Sequence, residues 1–363
     1  MPALDRYFDV LLDKGGSDLH LSIGYPPMIR LKGELVAIAD KPLDDPTMRS
    51  LMDELLDEER LNHFHAYRDL DFAYGYEDKA RFRANYLYKT TGPGAVFRTI
   101  PSEILTAEQL GLAPAIVGLA ERRTGLVLVT GPTGSGKSTT LAAMLDHINR
   151  SRESHILTIE DPVEFVHKPR KCQITHREVG MHTPNFADAI RSAGRENADV
   201  ILVGELRGRE TMKMALQLAS FGILIFATVH TNSAPATIDR FVNAFPASQQ
   251  PQIRGMLGDS LAGIVAQQLL RRADGSGRLA AQEVLIGTPA VASAIRESKT
   301  MMLTSLIQSG GSVGMQSIDA VLQRLVAEDK VTASDAVEKA ADKESFARVP
   351  AIAAKLKAEG HVL

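Results

Sequence analysis

The residues with the clearest chemical role lie between positions 131 and 139 of the 363-residue chain. They match the pattern G-x-x-x-x-G-K-S/T, in which a glycine-rich loop precedes a lysine and a hydroxyl residue. The glycines let backbone N–H groups close around phosphate oxygens, while the lysine contacts the β- and γ-phosphates and the hydroxyl can ligate Mg²⁺. We therefore predict a nucleoside triphosphate site formed by Gly131, Pro132, Thr133, Gly134, Ser135, Gly136, Lys137, Ser138 and Thr139.

The sequence on either side of this loop predicts the strand and the helix that the motif requires. Residues 126–129 are a short apolar run typical of a buried strand. After the loop, apolar residues recur at the spacing of one helical face: Leu141, Met144, Leu145 and Ile148. A helix that begins at the loop directs its N-terminal N–H groups at a bound phosphate. Lys137 is accordingly assigned to the phosphates and Ser138 to Mg²⁺.

Polar residues follow other apolar runs, as expected where the carboxyl ends of parallel strands meet a ligand. The runs and the polar residues behind them are 156–159 with Glu160 and Glu164, 200–203 with Glu205, and 223–229 with His230. Glu205 stands in a Walker B pattern whose usual first acid is replaced by Gly204. We assign Glu205 to the water that attacks the γ-phosphate. The alternative is that Glu205 caps the helix beginning near Arg209.

The other polar residues at these strand ends have two interpretations each. Glu160 and Glu164 are predicted to hold water or Mg²⁺ near the γ-phosphate, and the alternative is a solvated acidic turn around Pro162. His230 either senses the γ-phosphate or has a purely structural role, and its sequence context leaves both open.

Arginines concentrate in an alternating segment nearer the N-terminus. Arg81 and Arg83 share one face of residues 80–88 with Asn85, and Arg98 follows on the next predicted strand. Such a face could neutralise phosphate charge in trans, like an arginine finger. The alternative is a solvated basic face without a ligand.

The composition is that of a globular protein, with 44% hydrophobic and 23% charged residues. A formal net charge of −3 argues against sequence-independent nucleic-acid binding. The single cysteine excludes an internal disulfide and a multi-cysteine zinc site. The N-terminus does not resemble a signal peptide, and no segment approaches the roughly 20 apolar residues of a membrane span. We therefore expect a cytoplasmic protein that reaches a membrane only through a partner.

The predicted elements fall into an α/β organisation with two domains. The predicted parts are residues 1–100 as a small α+β domain, 101–114 as a linker and 115–363 as an alternating β/α domain. In the first part, residues 47–66 are predicted as one helix. In the last part, the runs near the phosphate loop should form a parallel sheet with 281–286 as a fifth strand. Residues 315–358 are predicted as terminal helices.

With these motifs in this order, the chain resembles the secretion/type IV pilus ATPase superfamily and, within it, the pilus retraction (twitching motility) ATPases. The segments that carry the resemblance are 16–22, 26–29, 81–85, 94–101, 131–139, 158–167, 199–207 and 228–234. Extension and type II secretion relatives usually have a four-cysteine zinc module and a longer N-terminal extension. Neither is expected here, which favours a retraction motor.

The resemblance implies a PAS-like first domain, a RecA-like second domain and a homohexamer that binds ATP and Mg²⁺ between subunits. It implies these roles: Glu160 and Glu164 as aspartate-box acids, Glu205 as the catalytic glutamate, His230 as the histidine-box residue, and Arg81, Arg83 and Arg98 as arginines presented to the nucleotide. The implied partners are an inner-membrane pilus platform protein and a paralogous motor ATPase, with no nucleic acid. The expected location is cytoplasmic, at the inner membrane.

The sequence departs from the family pattern at Gly208, Ile223 and Ala292, where Asp, His and Arg are common. These departures keep open a first alternative, an accessory or ATP-binding assembly subunit of a hetero-ring. A second alternative is a pilus-extension or type II secretion ATPase. A GTPase is disfavoured because the sequence has no Asn-Lys-x-Asp motif.

Overall fold

The computed structural model describes residues 3–31, 33–77, 79–100 and 103–361, and its contacts divide the chain into two units. The first unit comprises Met1–Glu103 and Asp161–Val166, and the second comprises Ile104–Glu160 and His167–Leu363. Residues 101 and 102, the first two of the predicted linker, lie outside the described residues.

The first unit contains an antiparallel sheet with the strand order β3-β2-β1-β6-β5-β4. Its elements are α1 (Asp5–Asp13), β1 (Asp18–Ser22), β2 (Met28–Leu31), β3 (Glu34–Ala37), α2 (Asp45–Asp53), α3 (Glu58–Tyr67), β4 (Asp69–Tyr76), β5 (Ala80–Lys89) and β6 (Gly92–Ile100). The rings of Phe8 and Phe82 stack 4.3 Å apart in its core, while Arg83 on β5 is exposed. Alternation along β5 thus separates an apolar face from a polar one, as the sequence predicts.

The predicted helix over 47–66 is wrong, because the chain forms α2 and α3 instead. The carboxylate of Asp57 accepts the N–H of Arg60 at 2.8 Å and so caps the start of α3. Aspartate competes well for helix N-termini because its side chain satisfies an N–H that the helix leaves unpaired.

The second unit is built around a mainly parallel sheet with the order β13-β12-β7-β11-β10-β8-β9. Its strands are β7 (Gly125–Thr130), β8 (His155–Glu160), β9 (Gln173–Glu178), β10 (Val200–Val203), β11 (Leu224–Val229), β12 (Leu261–Arg271) and β13 (Arg278–Ile286). Its helices are α4 (Pro114–Ala120), α5 (Lys137–Ser151), α6 (Phe186–Ala193), α7 (Arg209–Ser220), α8 (Ala234–Asn243), α9 (Gln250–Ser260), α10 (Pro289–Arg296), α11 (Met302–Ser309), α12 (Ile318–Ala327), α13 (Ala333–Lys339), α14 (Lys343–Ala347) and α15 (Pro350–Ala358).

The four strands predicted nearest the phosphate loop appear as β7, β8, β10 and β11, which pair in parallel. The α/β fold class, with its antiparallel first sheet and its mainly parallel second sheet, is therefore confirmed. The predicted fifth strand lies within β13 but runs antiparallel to β12, so its assignment to the parallel set is wrong. Strand β12 itself was not predicted, although it pairs directly with β7. It follows α9 without an intervening loop, so no turn residues mark its start.

The C-terminal helices have a small core of their own. The predicted apolar stripe of Ile318, Val321, Leu322 and Leu325 is buried and packs near Leu270 of β12. Within the described residues, no helix combines the length and apolarity needed to cross a membrane.

Candidate active site

The glycine-rich loop joins β7 to α5 through three residues in the left-handed region of backbone space. Gly131, Gly134 and Gly136 have φ values of +147°, +78° and +85°. Residues with a Cβ rarely adopt these values, so the glycines are what allow the loop to curl around an anion. The N–H groups at the start of α5 then point into the concave side of the loop.

Lys137, the first residue of α5, is buried beside the loop. Its Nζ donates to the carbonyl oxygens of Gly131 and Pro132, at 3.0 Å each. An ammonium group held at two carbonyl oxygens needs only a small movement to contact phosphate oxygens instead. Ser138 is partly exposed one residue further along the helix, as a ligand to Mg²⁺ would need to be.

The order of the strands brings three of the predicted polar residues to one edge of the sheet, the edge formed by the carboxyl ends of the parallel strands. Since β8, β10 and β11 are neighbours, Glu160 at the end of β8 and Glu205 and His230 just after β10 and β11 stand at the carboxyl ends of adjacent parallel strands. The Glu205 carboxylate lies 3.4 Å from His230 Nε2 and 2.5 Å from Arg207 Nε. The Glu205 side chain is 16% exposed, so it combines restricted mobility with access to solvent.

Arg207 is a site residue that the sequence prediction missed. Leu206, which lies between the two residues, is buried, whereas Arg207 is exposed and Glu205 is partly exposed. The ion pair between Arg207 and Glu205 brings their side chains together. The two-residue spacing of Glu205 and Arg207 was the signal that could have identified this pair.

Gly204 stands where the Walker B pattern usually has an acid, and its surroundings explain the glycine. Its N–H donates to the carbonyl of Ile159 at 2.8 Å, and a Cβ at this position would lie 3.3 Å from Glu160 Cα. A side chain here would crowd Glu160, which is buried at the end of β8. Glu160 is also paired in register with Glu178 of β9, a buried acid that the sequence did not single out.

Threonine hydroxyls fix the loop that follows His230. Thr231 N–H donates to Thr130 Oγ1 at 2.9 Å, and the hydroxyls of these two residues are 2.6 Å apart. The Thr231 hydroxyl is also 2.6 Å from that of Thr237 on α8. Because Thr130 ends β7, these bonds connect the histidine loop to the strand that leads into the phosphate loop.

Glu164 and the candidate arginines belong to the first unit. Glu164 lies in the 161–166 segment, where Val163 accepts a hydrogen bond from Arg81 Nη2 at 3.2 Å. Arg83 and Arg98 are direct cross-strand partners on β5 and β6. Arg98 Nε also donates at 2.9 Å to Asp18, which is buried. The arginines therefore share one sheet face, as the alternation predicts.

His167 has an environment that makes stability depend on pH. The side chain is 5% exposed, and its ring stacks with that of His176, 6.0 Å away. Burial, with a smaller contribution from His176, lowers the pKa of His167 to about 4. The unfolded chain, with a pKa near 6.5, takes up this proton at higher pH than the folded protein does. Folding stability that is present above pH 6.5 is therefore lost as the pH falls towards 4.

We expect a His167→Gln variant to lose less stability on acidification than the wild type. Between pH 7.5 and pH 5 the wild type should lose about 2 kcal/mol more than the variant. Urea unfolding at both pH values measures this difference, with His63→Gln as a control at a histidine on α3. Parallel losses in the wild type and His167→Gln would contradict the assignment.

Gly208, one of the departures from the family pattern, immediately precedes α7 and has φ +83° and ψ 164°. An L residue such as aspartate would be strained in this conformation. The backbone conformation that follows the Glu205–Arg207 pair therefore favours glycine at position 208.

Comparison with known proteins gives consistent similarities along the chain. Residues 69–302 match the family model described as type II/IV secretion system protein. The type IV pilus retraction ATPase PilT of Pseudomonas aeruginosa is 48% identical over 333 residues, covering 92% of this chain and 96% of the relative. The type IV pilus ATPase PilU of the same organism is 36% identical, covering 92% and 87%.

A solved structure resembles the whole fold. The crystal structure of the pilus retraction motor PilT with bound ADP has a TM-score of 0.89 and 40% sequence identity. The match covers 96% of this chain and 100% of that one.

Proposed function

This chain belongs to the type II/IV secretion system protein family as an ATP hydrolase, and we propose that it is the hexameric, Mg²⁺-dependent motor that retracts a type IV pilus. The observation that carries the proposal is its similarity to a retraction ATPase along nearly the full length of both chains. The phosphate loop and the Glu205 group at the same sheet edge support ATP hydrolysis as its source of work.

Binding of the nucleotide begins at the phosphate loop. Lys137 exchanges its contacts with the carbonyls of Gly131 and Pro132 for oxygens of the β- and γ-phosphates. Residues 131–139 as a whole surround the triphosphate, and their N–H groups neutralise part of its charge.

The oxygen donors at this edge fit a magnesium ion. Ser138 would offer a hydroxyl and Glu160 a carboxylate, directly or through water, whereas Glu164 lies in the first unit and stays a metal ligand predicted from the sequence alone. Among the described residues, no group of three or more His, Cys, Asp or Glu side chains could hold a metal on its own. A site with few protein ligands suits Mg²⁺, because this ion keeps several waters and binds phosphate oxygens as well. Bound there, Mg²⁺ would neutralise charge that develops on the phosphates.

Glu205 performs the step that follows binding. Its carboxylate orients a water molecule towards the γ-phosphorus, and the bond from that phosphorus to the β–γ bridging oxygen breaks as the water attacks. His230 and Arg207 hold the carboxylate from two sides and restrict the directions in which it can accept a proton. We also propose that His230 responds to the γ-phosphate.

The assembly that we propose is a homohexamer with a PAS-like domain at 1–100, a linker at 101–114 and a RecA-like domain at 115–363. In it, Arg81, Arg83 and Arg98 of a neighbouring subunit stabilise charge on the nucleotide. The subunits of this ring close around ATP and open after hydrolysis, and this movement turns a pilus platform protein at the cytoplasmic side of the inner membrane. A paralogous motor ATPase cooperates in this work.

Deletion of the gene and observation of labelled pili test the proposed function. We expect pili that extend but do not shorten, so that the cells accumulate pili and lose twitching. Reintroduction of the wild-type gene should restore shortening, because the defect then arises from the loss of this protein.

The same experiment separates the alternatives. Loss of pili in the deletion strain would contradict retraction and support an extension or secretion ATPase. Pili that still shorten, together with a purified protein that binds ATP without hydrolysing it, would support an assembly subunit of a hetero-ring. Native mass measurement of the purified protein checks the hexamer independently.

A further inference from the structure

A buried glutamine on β12 forms the floor of the phosphate loop. Gln267 is 2% exposed and directly follows Ala266, the register partner of Thr130 at the end of β7. A Cβ built on Gly131 would lie 2.2 Å from the backbone oxygen of Gln267, and one on Gly136 would lie 2.9 Å from its Nε2. The loop therefore approaches this residue as closely as glycine permits.

Two donors determine which way the Gln267 amide faces. Its Oε1 accepts hydrogen bonds from Thr140 Oγ1 at 2.7 Å and from Gln282 Nε2 at 2.8 Å. Its Nε2 consequently faces the loop and donates to the carbonyl of Ser135 at 2.6 Å. Reversing the amide would set two NH₂ groups against each other and place oxygen against the Ser135 carbonyl.

The bond to Ser135 controls the orientation of a peptide group inside the loop. In a trans peptide the C=O and the following N–H point in opposite directions. Holding the Ser135 carbonyl towards Gln267 therefore directs the Gly136 N–H to the opposite side, into the concave face that binds phosphate. Without this bond the peptide could rotate, because Gly136 has no Cβ to resist it.

We propose, on the basis of the ATP-binding function proposed above, that Gln267 is a positioning residue that directs the Gly136 N–H at the bound phosphates. Gln282 is held in turn by Gln316, whose Nε2 donates to the Gln282 carbonyl at 2.8 Å. Gln316 also exchanges backbone hydrogen bonds with Val284 of β13. The orientation of the phosphate loop thus depends on the segment that precedes α12.

A Gln267→Glu substitution tests this role because it keeps the size of the side chain, removes the donor and adds a charge, and protonation reverses both changes. At pH 8 the carboxylate cannot donate to Ser135, so the Kd for ADP should rise about tenfold or more. As the pH falls towards 6, a buried carboxyl becomes protonated and regains a donor, so the affinity should recover. The wild type should not show this recovery. The uncharged Gln267→Met variant then separates loss of the donor from repulsion between the added charge and the phosphates.

Two further variants define the effect. Gln267→Met has similar volume and no donor, so it should weaken ADP binding at every pH and raise KM for ATP more than it lowers kcat. Gln268→Met is the matched control, because that side chain donates to Lys339 instead and should leave ADP binding unchanged. If Gln267→Met does not fold, Gln282→Met replaces it and should weaken ADP binding about threefold by freeing the Gln267 amide.

Isothermal titration with ADP measures the Kd of each variant, and thermal unfolding without nucleotide checks that each variant is folded. Wild-type affinity in Gln267→Glu at pH 8, or a loss that does not reverse on acidification, would overturn the role of Gln267 and leave the proposed ATPase intact. A wild-type protein that binds no ADP would instead contradict the proposed function and the role of Gln267 together.

Discussion

A Glu205→Gln variant is expected to bind ATP as tightly as the wild type and to hydrolyse it roughly 100-fold or more slowly. The prediction rests on the role proposed for the Glu205 carboxylate, which lies 3.4 Å from His230 Nε2 and 2.5 Å from Arg207 Nε. Glutamine keeps the size and can still accept a hydrogen bond from Arg207, but it cannot take up the proton. The loss should therefore fall on kcat, while the phosphate loop continues to bind nucleotide.

Steady-state phosphate release and titration with a fluorescent ATP analogue measure the two parts of this prediction. Glu210→Gln is the matched control, since Glu210 is an exposed acid at the start of α7 that pairs with Arg191. Wild-type turnover by Glu205→Gln would contradict the role proposed for Glu205. A combined loss of binding and turnover would indicate a structural role.

A Gly131→Ala variant is expected to lose ATP binding, with affinity reduced by roughly 100-fold or more. Gly131 has φ +147°, and a Cβ there would lie 2.2 Å from the Gln267 backbone oxygen and 2.6 Å from Ser135 Oγ. The Ser135 hydroxyl can rotate, but the Gln267 backbone oxygen cannot move away easily because it belongs to β12. The methyl group must therefore displace the loop from β12.

The control for backbone strain alone is Gly180→Ala. Gly180 has φ +84°, and a Cβ there would meet no atom within 4 Å. That variant should lose about 1 kcal/mol of folding stability and keep ATP binding. Titration with ATP and thermal unfolding of both variants separate the effect of backbone strain from that of the steric clash between the Gly131→Ala methyl group and β12. Normal ATP binding by Gly131→Ala would contradict the close packing of the loop on β12.

The sequence predicted most of the fold near the site because local patterns determine it. An apolar run before the glycine loop and an amphipathic helix after it predict β7 and α5. In the first unit the alternation along β5, which separates the two faces of that strand, was also predicted. Two predictions proved wrong. One missed the break between α2 and α3, and the other missed the antiparallel direction of β13.

The chemistry of the loop and the acids at strand ends follow from the sequence by itself. Residue types fix which backbone angles, charges and hydrogen bonds are available, and their spacing places them at the ends of elements. Only the tertiary structure decided that Arg207 and His230 hold Glu205, and that Gln267 supports the phosphate loop. Gln267 and Ser135 are 132 residues apart, and their contact depends on β12 lying beside β7. Periodicity identifies strands but contains no information about which strands become neighbours.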